Sequence, residues 1–161
     1  NILDLKGSSG NSIVKRGDEL IAVSGSTGGL TVIDYDSFTQ SDYAPLKNAK
    51  YFNYLGDDAV SLTASMTDAK LRHYGDGDDC HSPNITTSIG SISPYDGKLV
   101  VHLDDDNTYI SCATEGLKVF NSSTLEQVGA YQQLSSSTNC VTSDENFVYL
   151  ANGSQGLVIL G

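Results

Sequence analysis

A short apolar strand opening on leucine recurs four times in this chain, at Leu30, Leu71, Leu117 and Leu157, at intervals of 41, 46 and 40 residues. Aligned on those leucines, the segments IAVSGSTGGLTVID (21–34), LTASMTDAKLRHYG (62–75), ISCATEGLKVFN (110–121) and VYLANGSQGLVIL (148–160) agree in more than one residue type. Each unit opens on an acidic turn: Gly17-Asp18-Glu19, Gly56-Asp57-Asp58, Asp105-Asp106-Asn107 and Asp144-Glu145-Asn146. Asp and Asn suit such turns because they tolerate the dihedrals and hydrogen-bond their own backbone. A β-branched or aromatic strand follows, at Leu20 to Val23, Val60 to Thr63, Tyr109 to Cys112 and Phe147 to Ala151. Small residues come next, Ser24 to Gly29 in the first unit and Asn152 to Gly156 in the last. They fit a tight hairpin in which φ turns positive. The leucine-led strand closes the pattern, and the run Leu157-Val158-Ile159-Leu160 is apolar throughout, as a strand buried on both faces must be.

A period of about 40 to 45 residues with several short strands per unit is the signature of propeller blades and is foreign to helical repeats. The expected fold is all-β, a β-propeller of about four four-stranded units near residues 12–46, 50–92, 98–134 and 138–161. Polar segments after the leucine strands supply the outer strands, at Gln40 to Leu46, Asn84 to Ile92 and Gln127 to Leu134. The fourth unit has none. Residues 1–6, with the run Asn1-Ile2-Leu3-Asp4-Leu5, have the character of that missing strand. Two arrangements fit this phase: a ring that closes by placing the N-terminal strand in the last blade, or part of a seven- or eight-bladed ring. In the second, the chain associates with further blades or with a second copy.

At 161 residues the chain suits one well-buried domain, and no break in composition divides it. Helical periodicity is missing, and the longest candidate, Asp57 to Lys70, alternates as a strand does. A net charge of −11 with nine Lys and Arg argues against nucleic acid, which needs a clustered basic face, and equally against anionic membranes. No apolar run approaches the ~18 residues of a membrane span. Most acids fall in turns, where they solvate the molecule and discourage association of strand edges.

Cys80, Cys112 and Cys140 form neither a zinc pattern nor a disulfide framework and read as buried thiols, with one disulfide through Cys80 as the alternative. Glycosylation triplets at Asn84, Asn121 and Asn152 are close to the chance number, about two, for so much Ser, Thr and Asn. The composition, poor in Lys and rich in Ser, Thr, Asn and Asp, points to an extracellular, cell-surface or periplasmic setting.

Chemistry-bearing signals are sparse. The stretch Asp76-Gly77-Asp78-Asp79-Cys80-His81 interrupts the second unit, and alternating carboxylates around a glycine can wrap a hard cation. Asp76, Asp78 and Asp79 are therefore candidate calcium ligands, although the run lacks the glutamate at the twelfth position of a calcium loop and reads equally as an acidic solvent loop. His73, His81 and His102 have no zinc-ligand spacing. Gly7-Ser8-Ser9-Gly10 and Gly25-Ser26-Thr27-Gly28 give no nucleophile elbow, and no glycine-rich phosphate loop exists. No catalytic residue or organic cofactor is indicated. Tyr35, Tyr43, Tyr51, Tyr54, Tyr74 and Tyr95 fall near strand ends or loops, where tyrosine serves either as a strand residue or as a binding surface.

The segments Gly29-Leu30-Thr31-Val32-Ile33-Asp34, Gly116-Leu117-Lys118-Val119-Phe120-Asn121 and Gly156-Leu157-Val158-Ile159-Leu160 resemble the LVIVD-type propeller repeat. Lys70-Leu71-Arg72-His73-Tyr74 departs from it. The resemblance implies a bacterial surface or secreted propeller and carries over no catalytic residue. The expected role is a non-catalytic scaffold that recognises a protein or carbohydrate. An enzyme with its site at the channel mouth and a purely architectural module of a larger surface protein are the alternatives.

Overall fold

Residues 2–75, 80–93 and 99–161 are described by the structure, a computed structural model. They form four antiparallel sheets that follow one another along the chain. The first holds β1 (Gly10–Arg16), β2 (Glu19–Ser24), β3 (Gly29–Asp34) and β4 (Thr39–Pro45). The second holds β5 (Ala49–Leu55), β6 (Asp58–Ala64), β7 (Ala69–Tyr74) and β8 (Ile85–Ser88). β9 (Leu99–Leu103), β10 (Asn107–Cys112), β11 (Leu117–Asn121) and β12 (Gln127–Tyr131) make the third. The fourth has three strands, β13 (Cys140–Ser143), β14 (Val148–Ala151) and β15 (Leu157–Leu160), with a short 3-10 turn at Gly153–Gln155. Strand order within every sheet is sequence order, so each sheet is a meander whose first strand is innermost.

Register confirms the copying of one unit. The acidic turn joins the first two strands each time, and the leucine strand is always third. A bulge falls between Val32 and Ile33 in the first sheet and between Val119 and Phe120 in the third, the same position of the unit. Gly116 and Gly156 sit at matched hairpin positions with φ of 82° and 74°. At Gly116 the positive φ is joined by close packing, since an added Cβ would lie 2.1 Å from the Tyr131 carbonyl oxygen.

The core lies between sheets. Val60, Leu62 and Leu71 of the second blade pack with Leu99, Val101 and Leu103 of the third. Ile21, Val23, Leu30 and Val32 of the first meet Phe52 and Ala59 of the second. Tyr109 and Leu117 of the third meet Val141 and Leu150 of the fourth. In the first three blades the face bearing the key leucine is therefore buried by the blade that follows.

The inner strands β1, β5, β9 and β13 pack in succession, and no comparable packing joins β13 back to β1. The arc stays open: Leu157 and Ile159 on the last blade are 65% and 54% exposed, and Ile13 on the first is 63% exposed. The N-terminal segment does not complete the fourth sheet. Residues 2–9 carry no strand, the Lys6 carbonyl accepts a hydrogen bond from the Ser24 hydroxyl, and the Lys6 ammonium lies 4.3 Å from the centre of the Tyr43 ring. The segment is thus tied at Lys6 to its own first blade.

Candidate functional site

Between the third and fourth blades, at the end of the molecule where the acidic turns lie, opens a cleft of about 780 Å³. Its polar part is built by the end of β9, the turn after it and the end of β13. The turn is self-capped: Asp104 Oδ1 accepts from the backbone N–H groups of Asp106 and Asn107, while Oδ2 accepts from the Tyr109 hydroxyl at 2.8 Å. Ser143 reaches in from the next blade, its Oγ 3.3 Å from Asp104 Oδ2 and 3.0 Å from His102 Nε2. Leu117, Val119 and Leu160 supply apolar wall.

Burial pushes the Asp104 carboxyl up, but the hydrogen bonds from Tyr109, Asn107, Asp106 and Ser143 outweigh it and hold the group below its ordinary value. The same burial and bond raise the Tyr109 hydroxyl to about 12. Burial also lowers His102, against the opposing pull of Asp104, so the imidazole is neutral at neutral pH.

A serine, a histidine and an aspartate thus meet, but not wired for nucleophilic catalysis. In a triad the carboxylate holds the far nitrogen of the imidazole and the imidazole takes the serine proton. Here the carboxylate bonds the serine itself. With the Ser143 proton directed to Asp104, the His102 Nε2–H donates to Ser143 Oγ, and the imidazole has no lone pair turned to the hydroxyl. The result is a fixed donor and acceptor array with an ionised carboxylate at its end.

The fourth blade repeats the turn: Asp144 Oδ1 accepts from the N–H groups of Asn146 and Phe147, and Oδ2 from the Tyr149 hydroxyl at 2.7 Å. These bonds hold Asp144 below the ordinary carboxylate value and raise the Tyr149 hydroxyl. A smaller cleft between the first two blades is lined by Arg16, Asp18, Tyr54 and Asp57 at the same end.

The candidate calcium ligands Asp76, Asp78 and Asp79 lie outside the described residues, as does Tyr95. Among the described residues no group of three metal-ligating side chains comes together. His73 bonds Asp58 at 3.0 Å, and His81 bonds Asp42 at 2.9 Å. The remaining tyrosines are dispersed: the Tyr74 hydroxyl meets Ser61 in the core, Tyr54 donates to the Lys15 carbonyl, and the Tyr35 and Tyr43 rings stack under Lys15 and Lys6. No shared aromatic patch forms from them. Cys80 and Cys112 are buried, but Cys140, expected to be buried, is exposed, because the face on which it stands has no following blade. Asn152 is buried and accepts from Thr138, so the third glycosylation triplet is closed to modification in the folded chain.

The meeting of His102, Asp104 and Ser143 escapes a reading of the sequence because Ser143 is 39 residues from Asp104 and arrives only through packing of consecutive blades. The one available signal was the repeat, which places Ser143 next to the turn of the blade before.

Four meander sheets arranged about an axis, the first three each burying a leucine face on the next, define a β-propeller. Solved structures agree: the chain is similar to the computationally designed Ika4 protein, with a TM-score of 0.68 at 11% identity over 98% of this chain and 94% of that one. It is similar to BamB from Moraxella catarrhalis, with a TM-score of 0.63 at 15% identity, and to the designed Ika8 protein, with 0.56 at 11%. In these two, matches over 97% and 94% of this chain span only 46% and 58% of the other. The chain therefore spans about half the length of the larger propellers it matches. At such identities the likeness concerns the fold. No protein-family model matches the sequence, and no curated protein sequence matches it.

Proposed function

We propose that the chain is a non-catalytic recognition scaffold that binds a positively charged segment of a partner protein in the cleft between its third and fourth blades. The observation that carries this reading is the array of Asp104, Ser143 and His102: an ionised, hydrogen-bonded carboxylate beside a neutral donor, at the edge of an apolar wall. A lysine or arginine head suits the carboxylate, and its aliphatic stem suits Val119 and Leu160. Asp105, Asp106 and Glu145 add field of the same sign, which speeds encounter with a cationic partner.

Kinship with LVIVD-type surface propellers and a setting outside the cytoplasm belong to this reading. They are supported by the Gly-Leu strands and by the composition. A calcium ion at Asp76, Asp78 and Asp79 is an addition to it, checked by whether calcium changes the melting temperature.

Fluorescence anisotropy with a labelled Lys- and Arg-bearing peptide tests the function, beside a glycan array. Saturable binding that weakens with salt and falls about tenfold in Asp104→Asn supports it. Binding of a glycan with no response to the peptide overturns it in favour of carbohydrate recognition.

A further inference from the structure

Leu117 and Leu157 occupy the same position of consecutive blades, as do Tyr109 and Tyr149, and Val119 and Ile159. Leu117 is 2% exposed because the fourth blade covers it, whereas Leu157 on the equivalent face is 65% exposed among the described residues. Cys140 is exposed on the same side, by alternation with the buried Val141. At the other end of the arc, the outward face of the first blade carries Ile13, Leu20 and Lys15 in the register positions held by Val141, Val148 and Ser143 in the fourth.

The geometry points to a second copy of this chain as the occupant: we propose that its first blade covers the bare face of the last blade, so that two copies close one ring through two such junctions. Side-chain pairing at one repeated position identifies the partner. The repeat position of Asp104, just after the residue paired with the second strand, faces the repeat position of Ser143 in the following blade. At the junction of the first two blades this pair is Arg16 and Tyr54, which line one cleft. At the second junction it is Leu55 and Leu103, both apolar. At the new junction it is Asp144 of one copy and Lys15 of the other, an anion facing a cation. Lys15 now rests 4.2 Å from the centre of the Tyr35 ring, and turning its side chain frees it.

The rest of the face is complementary in the same way. No Lys or Arg follows Lys118, so the last blade is acidic only, while the outward side of the first carries Lys6 and Lys15. Lys6 is held to the first blade, and the residues before it would come to lie beside the open edge of β15 in the other copy. The inference is independent of the ligand proposed above, since it uses the opposite face of the fourth blade.

Sedimentation velocity on the 161-residue chain, over a wide range of concentration, tests it. The expected result is a dimer of twice the chain mass, converted to monomer by Leu157→Asp. Lys15→Glu and Asp144→Lys should each weaken dimerisation by about tenfold, and the double variant should recover most of that loss. Circular dichroism on each variant separates loss of pairing from loss of folding. Alkylation of Cys140, fast in the monomer, should slow as the wild-type concentration rises. A wild-type chain that stays monomeric, or a dimer indifferent to Leu157→Asp and to the charge exchange, overturns the proposal.

Discussion

The imidazole of His102 and the hydroxyl of Ser143 lie 3.0 Å apart across the boundary between the third and fourth blades, one on β9 and the other on β13. This bond and that of Ser143 to Asp104 tie two separately folded sheets at one point, and they make that point sensitive to pH and to single-atom changes.

Lowering the pH should loosen this boundary. His102 titrates below its ordinary value in the folded protein, so the unfolded chain binds the proton first. Stability is full above the unfolded value of about 6.5 and falls as the pH drops through it toward the folded value. Melting temperature measured between about pH 7.5 and 5 should decline, and His102→Gln should flatten that part of the profile.

Tyr109→Phe removes the hydroxyl that satisfies a partly buried carboxylate, and should cost about 1 to 3 kcal/mol in urea unfolding. Tyr149→Phe removes the matching bond at an exposed turn. Its effect should be much the smaller of the two.

Leu117→Ala should destabilise the chain by about 2 to 5 kcal/mol, because it opens a cavity between the third and fourth blades. In the monomer, Leu157→Ala at the equivalent but bare site should change stability by less than about 0.5 kcal/mol. Equal losses in chemical denaturation would show that the last face is covered within a single chain.

Gly116→Ala meets both an unfavourable positive φ and the Tyr131 carbonyl, whereas Gly156→Ala meets the positive φ alone with open space around it. The second should cost about 1 kcal/mol and the first clearly more, read from thermal unfolding.

Cys112 is fully buried, with burial raising its thiol to about 12, and should resist iodoacetamide in the native state. Cys140 should react. Mass spectrometry after brief labelling distinguishes the two.

Much of the architecture was legible in the residues because a blade is a local object. The alternation through Asp57 to Lys70 became β6 and β7, the polar stretch from Gln40 became β4, and each acidic turn fell between the first two strands of its sheet. The same spacing that exposed the repeat carried no information on how blades face one another. His102, Asp104 and Ser143 are therefore unremarkable along the chain and adjacent in space.

From the sequence alone follow the copied unit, its hairpin turns and the strand that begins on leucine, since turn dihedrals and period-two burial act over a few residues. The tertiary structure decided that the arc stays open, that Lys6 is bonded to its own first blade, and that Leu157 is bare where Leu117 is covered. Those outcomes depend on the angle between packed sheets, a quantity set by side chains some 40 residues apart and written in no single segment.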